Sequence, residues 1–319
     1  KMKNLIFTTL ILSIAVIFTG CSDDDEVVMM QPTQDIVAVA QANGFTSLAA
    51  ALTKADLVSA LQADGPFTVF APTNEAFTGL LAAVGQSSID DVPADVLEQI
   101  LLTHVVSGKV LAADITPGDV TNLQGSTLTL ATDGGVTVSG VSVVTADVEA
   151  SNGVIHIIES VLVPADVAQF VDTVLEPAYF SESFTTLIEA AVKADVVGTL
   201  VDTPNLTIFA PTNDAFSDSG IVPAELSAAT LASVLTYHVV GAKVLSSGIP
   251  SSATTLNTED IYFSLVSAGN FINGNTEITA VDIESGTGVV HVIDQVLLPP
   301  SGNIVETAIE LSPDGEFTS

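Results

Sequence analysis

The sequence predicts an α+β fold made twice, as two tandem domains that each open with short helices and close with strands. Three observations carry this reading. First, the segment Phe67-Thr68-Val69-Phe70-Ala71-Pro72-Thr73-Asn74-Glu75-Ala76-Phe77 returns as Leu206-Thr207-Ile208-Phe209-Ala210-Pro211-Thr212-Asn213-Asp214-Ala215-Phe216, 139 residues later. Second, His104-Val105-Val106 returns as His238-Val239-Val240 after 134 residues, and Gly153-Val154-Ile155-His156-Ile157-Ile158 as Gly288-Val289-Val290-His291-Val292-Ile293 after 135. A period of that length is a whole domain, far beyond a solenoid unit. Third, within each copy helical spacing of apolar residues gives way to β-type runs, the order of an α+β domain. With 319 residues, 48% hydrophobic and 14% charged, the chain has enough apolar material for two cores.

The elements of the first copy follow in order. Apolar positions Ile36, Val39, Ala40, Leu48, Leu52, Leu57, Val58 and Leu61 keep helical spacing broken at Asn43-Gly44, which predicts two short helices. Phe67 to Ala71 is aromatic and β-branched, hence a strand, and Pro72 stops it. Thr73 or Asn74 caps the next helix, with Glu75 in its first turn and Phe77, Leu80 and Leu81 facing inward. Ala94 to Val106 reads as a helix running into an apolar stretch. Strands are then expected at 126–131, 136–138, 141–148 and 154–163, separated by Asp133-Gly134-Gly135, Ser139-Gly140 and Asn152-Gly153. Gly286-Thr287-Gly288 reads as a hairpin turn within the second copy.

The ends of the chain carry different signals. Lys1 and Lys3 precede a 14-residue apolar run from Leu5 to Phe18, too short to span a bilayer and ending at small residues. Residues 1–20 therefore read as a signal peptide. Phe18-Thr19-Gly20-Cys21 resembles the bacterial lipobox, with Phe18 where Leu is usual, and Cys21, the only cysteine, becomes the expected site of lipidation. Residues 21–34 form an acidic tether opening with Ser22-Asp23-Asp24-Asp25-Glu26, which resembles the export signal of surface lipoproteins. The expected location is the bacterial cell envelope, as an outer-membrane lipoprotein exposed at the surface. Domain 1 is assigned to 35–165 and domain 2 to 166–301. Residues 302–319 repeat the opening of both domains, Asn303-Ile304-Val305 leading to Phe317-Thr318-Ser319, and read as the truncated start of a third repeat.

Composition excludes several functions. Six Lys, no Arg and 38 acidic residues give a formal net charge of −32, which repels nucleic acid, and the absence of Arg weakens any phosphate site. With Cys21 committed to lipid, neither a disulfide nor a thiol nucleophile remains. The two His of each copy lie among Val and Ile without metal-ligand spacing, and neither a Gly-x-Ser-x-Gly elbow nor a twelve-residue calcium loop occurs. No catalytic residue, metal or cofactor is assigned.

Both copies resemble the fasciclin domain over roughly residues 35–300. The resemblance rests on Phe-x-Pro-Thr-Asn-x-Ala-Phe at 70–77 and 209–216, and on Asn-Gly-Val-Ile-His-Ile-Ile at 152–158 with Thr287 to Ile293 as its counterpart. It implies a wedge or sandwich of strands flanked by short helices, and non-catalytic adhesion to an extracellular polysaccharide or to a surface or matrix protein. In animal members integrin binding has been attributed to an Asp-Ile pair before the second motif and to a Tyr-His segment. The matching positions here are Asp282-Ile283 and Tyr237-His238, with Asp147 and His104 as departing first-copy counterparts. These six are the candidate adhesion contacts, although Tyr237 and Ile283 are apolar enough to be core. Pro72, Thr73 and Asn74, with Pro211, Thr212 and Asn213, are read as structural. Two alternatives stay open: a spacer presenting a further C-terminal region, and an unrecognised hydrolase with a polar cleft.

Overall fold

A computed structural model describes residues 32–266, 269–286 and 288–300. Cys21, the leader, most of the tether, residues 302–319 and Thr287 lie outside the described residues. The first repeat runs α1 (Ile36–Ala42), α2 (Thr46–Lys54), α3 (Val58–Leu61), β1 (Phe67–Pro72), α4 (Asn74–Ala83), α5 (Ala94–Thr103), β2 (Val105–Ser107), β3 (Gly118–Thr121), β4 (Thr127–Ala131), β5 (Thr137–Val138), β6 (Val141–Ala150) and β7 (Gly153–Ile158). The second runs α6 (Ala165–Ala168), α7 (Glu176–Tyr179), α8 (Thr185–Lys193), α9 (Val197–Asp202), β8 (Thr207–Pro211), α10 (Asn213–Asp218), α11 (Ala228–Tyr237), β9 (Val239–Val240), β10 (Ser252–Thr254), β11 (Asp260–Val266), β12 (Gly269–Ile272), β13 (Thr276–Ser285) and β14 (Gly288–Ile293).

Each repeat forms one mixed seven-stranded sheet, ordered β2-β1-β7-β6-β5-β4-β3 and β10-β11-β12-β13-β14-β8-β9. The pairs β1 with β7 and β8 with β14 are parallel, and the others antiparallel. An isolated bridge between Val106 and Asn122, repeated by Val240 and Thr255, brings the two edges of each sheet together. The sheet thus curls around its own apolar interior, with Phe70, Leu128, Leu130, Val138 and Ile158 in the first repeat and Phe209, Ile261, Ile272 and Ile293 in the second. The other sheet face and the helices enclose a larger core that continues from the first repeat into the second.

Local chemistry explains where the elements fall. Three helices, rather than two, occupy 36–61, because Asp56 adopts a positive φ of 55° and restarts the chain as α3. The strand expected at 154–163 ends at Ile158, since the chain then leaves the sheet and the Leu162 N–H donates to His104 Nε2 at 2.9 Å. The short edge strands β3 and β10 are mostly exposed and lack an apolar alternation, so no sequence pattern marks them.

Thr73 and Thr212 cap their own helices, accepting from Ala76 N at 3.1 Å and Ala215 N at 3.2 Å. The neighbouring asparagines serve a different helix. Phe45 and Phe184 precede α2 and α8 and have no side-chain acceptor to offer. Asn74 Oδ1 instead accepts from Ser47 N, and Asn213 Oδ1 from Thr186 N, each at 3.0 Å. Their amides donate to Gly44 O and Glu182 O. Pro72 and Pro211 end β1 and β8 and lead into these caps.

Candidate functional site

The Tyr-His positions lie in the interior. Tyr237 is 1% exposed; its hydroxyl donates to Asp260 O at 3.1 Å and accepts from Asn273 at 3.0 Å, and burial raises its pKa. His238 and His104 cap the C-termini of α11 and α5 and are equally buried. In each, Nδ1–H donates to the carbonyl four residues back, Val234 O at 2.8 Å or Ile100 O at 2.7 Å. Nε2 then accepts from Leu297 N or Leu162 N, which fixes a neutral tautomer. Desolvation lowers both pKa values to about 4, against the raising effect of the carbonyl bond. As contact positions, Tyr237, His238 and His104 are corrected by this burial: every polar side-chain atom they carry is used inside the fold.

The Asp positions sit at a bulge. Between Ala280 and Ile283 the register of β13 with β14 shifts, as does that of β6 with β7 between Thr145 and Val148. Asp282 and Asp147 occupy these shifts with φ of 59° each. The Asp282 N–H donates to His291 Nδ1 at 3.2 Å, and His291 Nε2–H donates to Val244 O at 2.9 Å. The Asp282 carboxylate accepts from both the backbone N–H and the hydroxyl of Ser246, which lowers its pKa. Asp147 repeats the pattern with His156, Val110 O and Ala112 N. Ile283 is half-buried against the large core. Asp282 is half-buried and Asp147 exposed, yet Asp282 already holds the segment after β9 and Asp147 the segment after β2.

A cleft of about 790 Å³ opens between the repeats, within the size range of small-molecule sites. Its lining includes Asp95, Gln99, Phe170, Tyr179, Ile188 and Lys193. Phe170 and Tyr179 stack with centroids 3.8 Å apart, and both are largely buried. Burial, then Asp95 and Asp166, push the Tyr179 hydroxyl up to about 12, while its bond with Gln99 opposes the shift. Lys193 donates to Pro223 O at 3.0 Å and Ala224 O at 2.6 Å, so its charge is spent on the backbone of the short turn Pro223–Glu225. The other described lysines are paired as Lys54 with Glu182, Lys109 with Glu149 and Lys243 with Glu284. Among the described residues no group of three His, Cys, Asp or Glu is placed to hold a metal ion, and no helix is long and apolar enough to cross a membrane. Sequence reasoning does not single out Tyr262, which at 60% is the most exposed aromatic among the described residues; its signal is the contrast with Thr129, its first-repeat counterpart.

The curled mixed sheet with helices over one face, made twice, has a family to which it corresponds. The Fasciclin domain model matches residues 43–164 and 182–299, and the chain belongs to that family. Protein sll1483 of Synechocystis is 50% identical over 131 residues, covering 40% of this chain and 73% of that protein. Human periostin is 26% identical over 285 residues, covering 81% of this chain but only 33% of periostin. A solved FAS1 domain pair from the insect cell adhesion molecule fasciclin I aligns with a TM-score of 0.35 and 19% identity, covering 82% of this chain and 94% of that one.

Proposed function

We propose that this chain is a non-catalytic adhesion module of the bacterial cell surface, held to the outer membrane by lipid on Cys21. It engages extracellular polysaccharide or surface and matrix protein through its tandem fasciclin domains. The observation that carries this reading is the pair of complete fasciclin modules, a domain type of adhesion and extracellular-matrix proteins. Two modules in one chain raise the effective concentration of a second weak contact once the first has formed, so useful avidity needs no deep pocket. The lipobox-like Phe18-Thr19-Gly20-Cys21 and the acidic run after it support the anchor. A net charge of −32 suits a surface bathed in salt, where screening blunts self-repulsion.

The test uses cells carrying the full chain, exposed to surfaces coated with polysaccharides or with matrix proteins. Retention above that of cells lacking the chain is expected on at least one coating, and Cys21→Ser is expected to release the protein from the membrane fraction and abolish retention. Equal retention with and without the chain on every coating would refute the adhesive reading.

A further inference from the structure

We infer that the outward face of the β11–β12 hairpin in the second repeat is a stacking platform for a neutral, polyhydroxylated polymer. This rests on the adhesive reading and names the surface and ligand class. Side chains alternate along β11, so Ile261 and Phe263 point into the curled sheet, where Ile261 is fully buried and Phe263 lies 5.5 Å from Phe209 between ring centroids. Tyr262, Ser264 and Val266 therefore share the opposite face, and Tyr262 and Val266 are 60% and 55% exposed. Phe271 of β12 stands directly across from Ser264, and Glu277 of β13 across from Phe271. Tyr262 and Phe271 thus hold diagonal positions on one sheet face, with the Phe271 ring folded back toward Gly269, so the two rings are spread along a surface that an extended polymer can follow.

Comparison of the two repeats separates this feature from the needs of the fold. Leu128 and Leu130 occupy the inward positions of Ile261 and Phe263, both apolar and buried. The outward position of Tyr262 is Thr129 in the first repeat, which donates to Asp119 at 2.8 Å. Burial explains the inward pair in both copies, but it does not explain an exposed aromatic in one. The other two tyrosines, Tyr179 and Tyr237, are buried, and the chain has no Trp. A rigid aromatic ring gives a large contact area at little conformational cost, and its electron-rich face attracts the weakly positive C–H groups of a sugar ring.

Charge selects the ligand class. The groups around the platform are hydroxyls and carboxylates, Ser264, Glu277, Glu259 and Asp260 among them, which accept from hydroxyl donors. Each described lysine is already held by a carboxylate or by backbone carbonyls, so a polyanion meets repulsion without compensation. A second copy of the chain brings another −32 and is opposed in the same way.

Affinity electrophoresis of the purified full chain in gels holding laminarin, dextran or alginate tests this. Retardation is expected with at least one neutral glucan and not with alginate. Tyr262→Ser, shown by its unfolding midpoint to remain folded, is expected to weaken that binding at least about tenfold, whereas Tyr262→Phe keeps it within about threefold. Undiminished binding by Tyr262→Ser, or retardation by alginate alone, would overturn the platform. Adhesion to protein coatings without glucan binding would overturn the platform while leaving the adhesive reading intact. Failure on every coating and every gel would remove both.

Discussion

His104 and His238 show how a motif that looks chemical can be spent on structure. Each imidazole joins a helix end to the segment leaving the sheet, and each does so only when neutral. The sign of the pH effect follows. A folded pKa near 4 lies below the unfolded value of 6.5, so the unfolded chain takes up protons first as pH falls. The stability these residues supply is complete above pH 6.5 and is lost between there and about 4, at up to about 1.4 kcal/mol per pH unit for each histidine. Relief of acidic self-repulsion acts in the opposite direction, so a variant must isolate the term. Urea unfolding of the parent is expected to lose stability between pH 6.5 and 5 relative to His104→Gln/His238→Gln; parallel curves would show that the imidazoles are not buried neutral. Asp282 behaves likewise at lower pH, since Ser246 depresses its pKa and its contribution disappears only below the ordinary carboxylate range. Loss of binding in an Asp282 variant would therefore have to be separated from loss of this turn.

At the scale of elements, the parallel pairing of β1 with β7 sets the architecture of each repeat. It places Phe67 beside Gly153, where an added Cβ would stand 2.1 Å from Phe67 O and 2.8 Å from Ile36 Cδ1. At Gly288 the Cβ would meet Val174 Cγ2 at 2.4 Å first, with Leu206 O at 2.9 Å. A backbone carbonyl fixed by the sheet yields less than a side chain. Gly153→Ala is expected to cost more than about 3 kcal/mol, and Gly288→Ala less, by equilibrium unfolding; the reverse order would place the tighter approach in the second repeat. The local part of this architecture is legible in the sequence. Pro72 ends a strand and Thr73 starts a helix through bonds within a few residues. Asn74 is not legible in the same way, because the helix it caps begins 28 residues earlier. Tyr237 misleads for the same reason: what satisfies its hydroxyl lies 23 and 36 residues further on, at the start of β11 and in the turn after β12, which only the folded sheet brings near.

At the scale of the whole molecule, the decisive feature is that the two repeats share a core. Val167, Phe170 and Tyr179 of the second repeat belong to the same buried cluster as Val96, Leu97 and Ile100 of the first. Tyr179 also bonds Gln99, and Lys54 pairs with Glu182 across the junction at 2.6 Å. The two contacts differ in weight. The ion pair is half-open on the Glu182 side and contributes no more than about 1 kcal/mol, reduced further by salt. Truncating Tyr179 removes a buried ring that stacks on Phe170 within the second repeat and bonds Gln99 of the first, at a cost of roughly 3–5 kcal/mol shared between the second repeat and the junction. The parent is accordingly expected to melt in one calorimetric transition. Lys54→Gln should leave that single transition in place, whereas Tyr179→Ala should split it in two, with the second repeat losing more than the first. Two separated transitions in the parent would mean that the shared core does not couple the repeats. Coupling also bears on adhesion, because a rigid junction fixes the distance between the faces that the two modules present. If it does so, Tyr179→Ala will weaken retention on a multivalent coating more than it weakens binding to a short soluble glucan, the signature of lost avidity rather than of a lost contact.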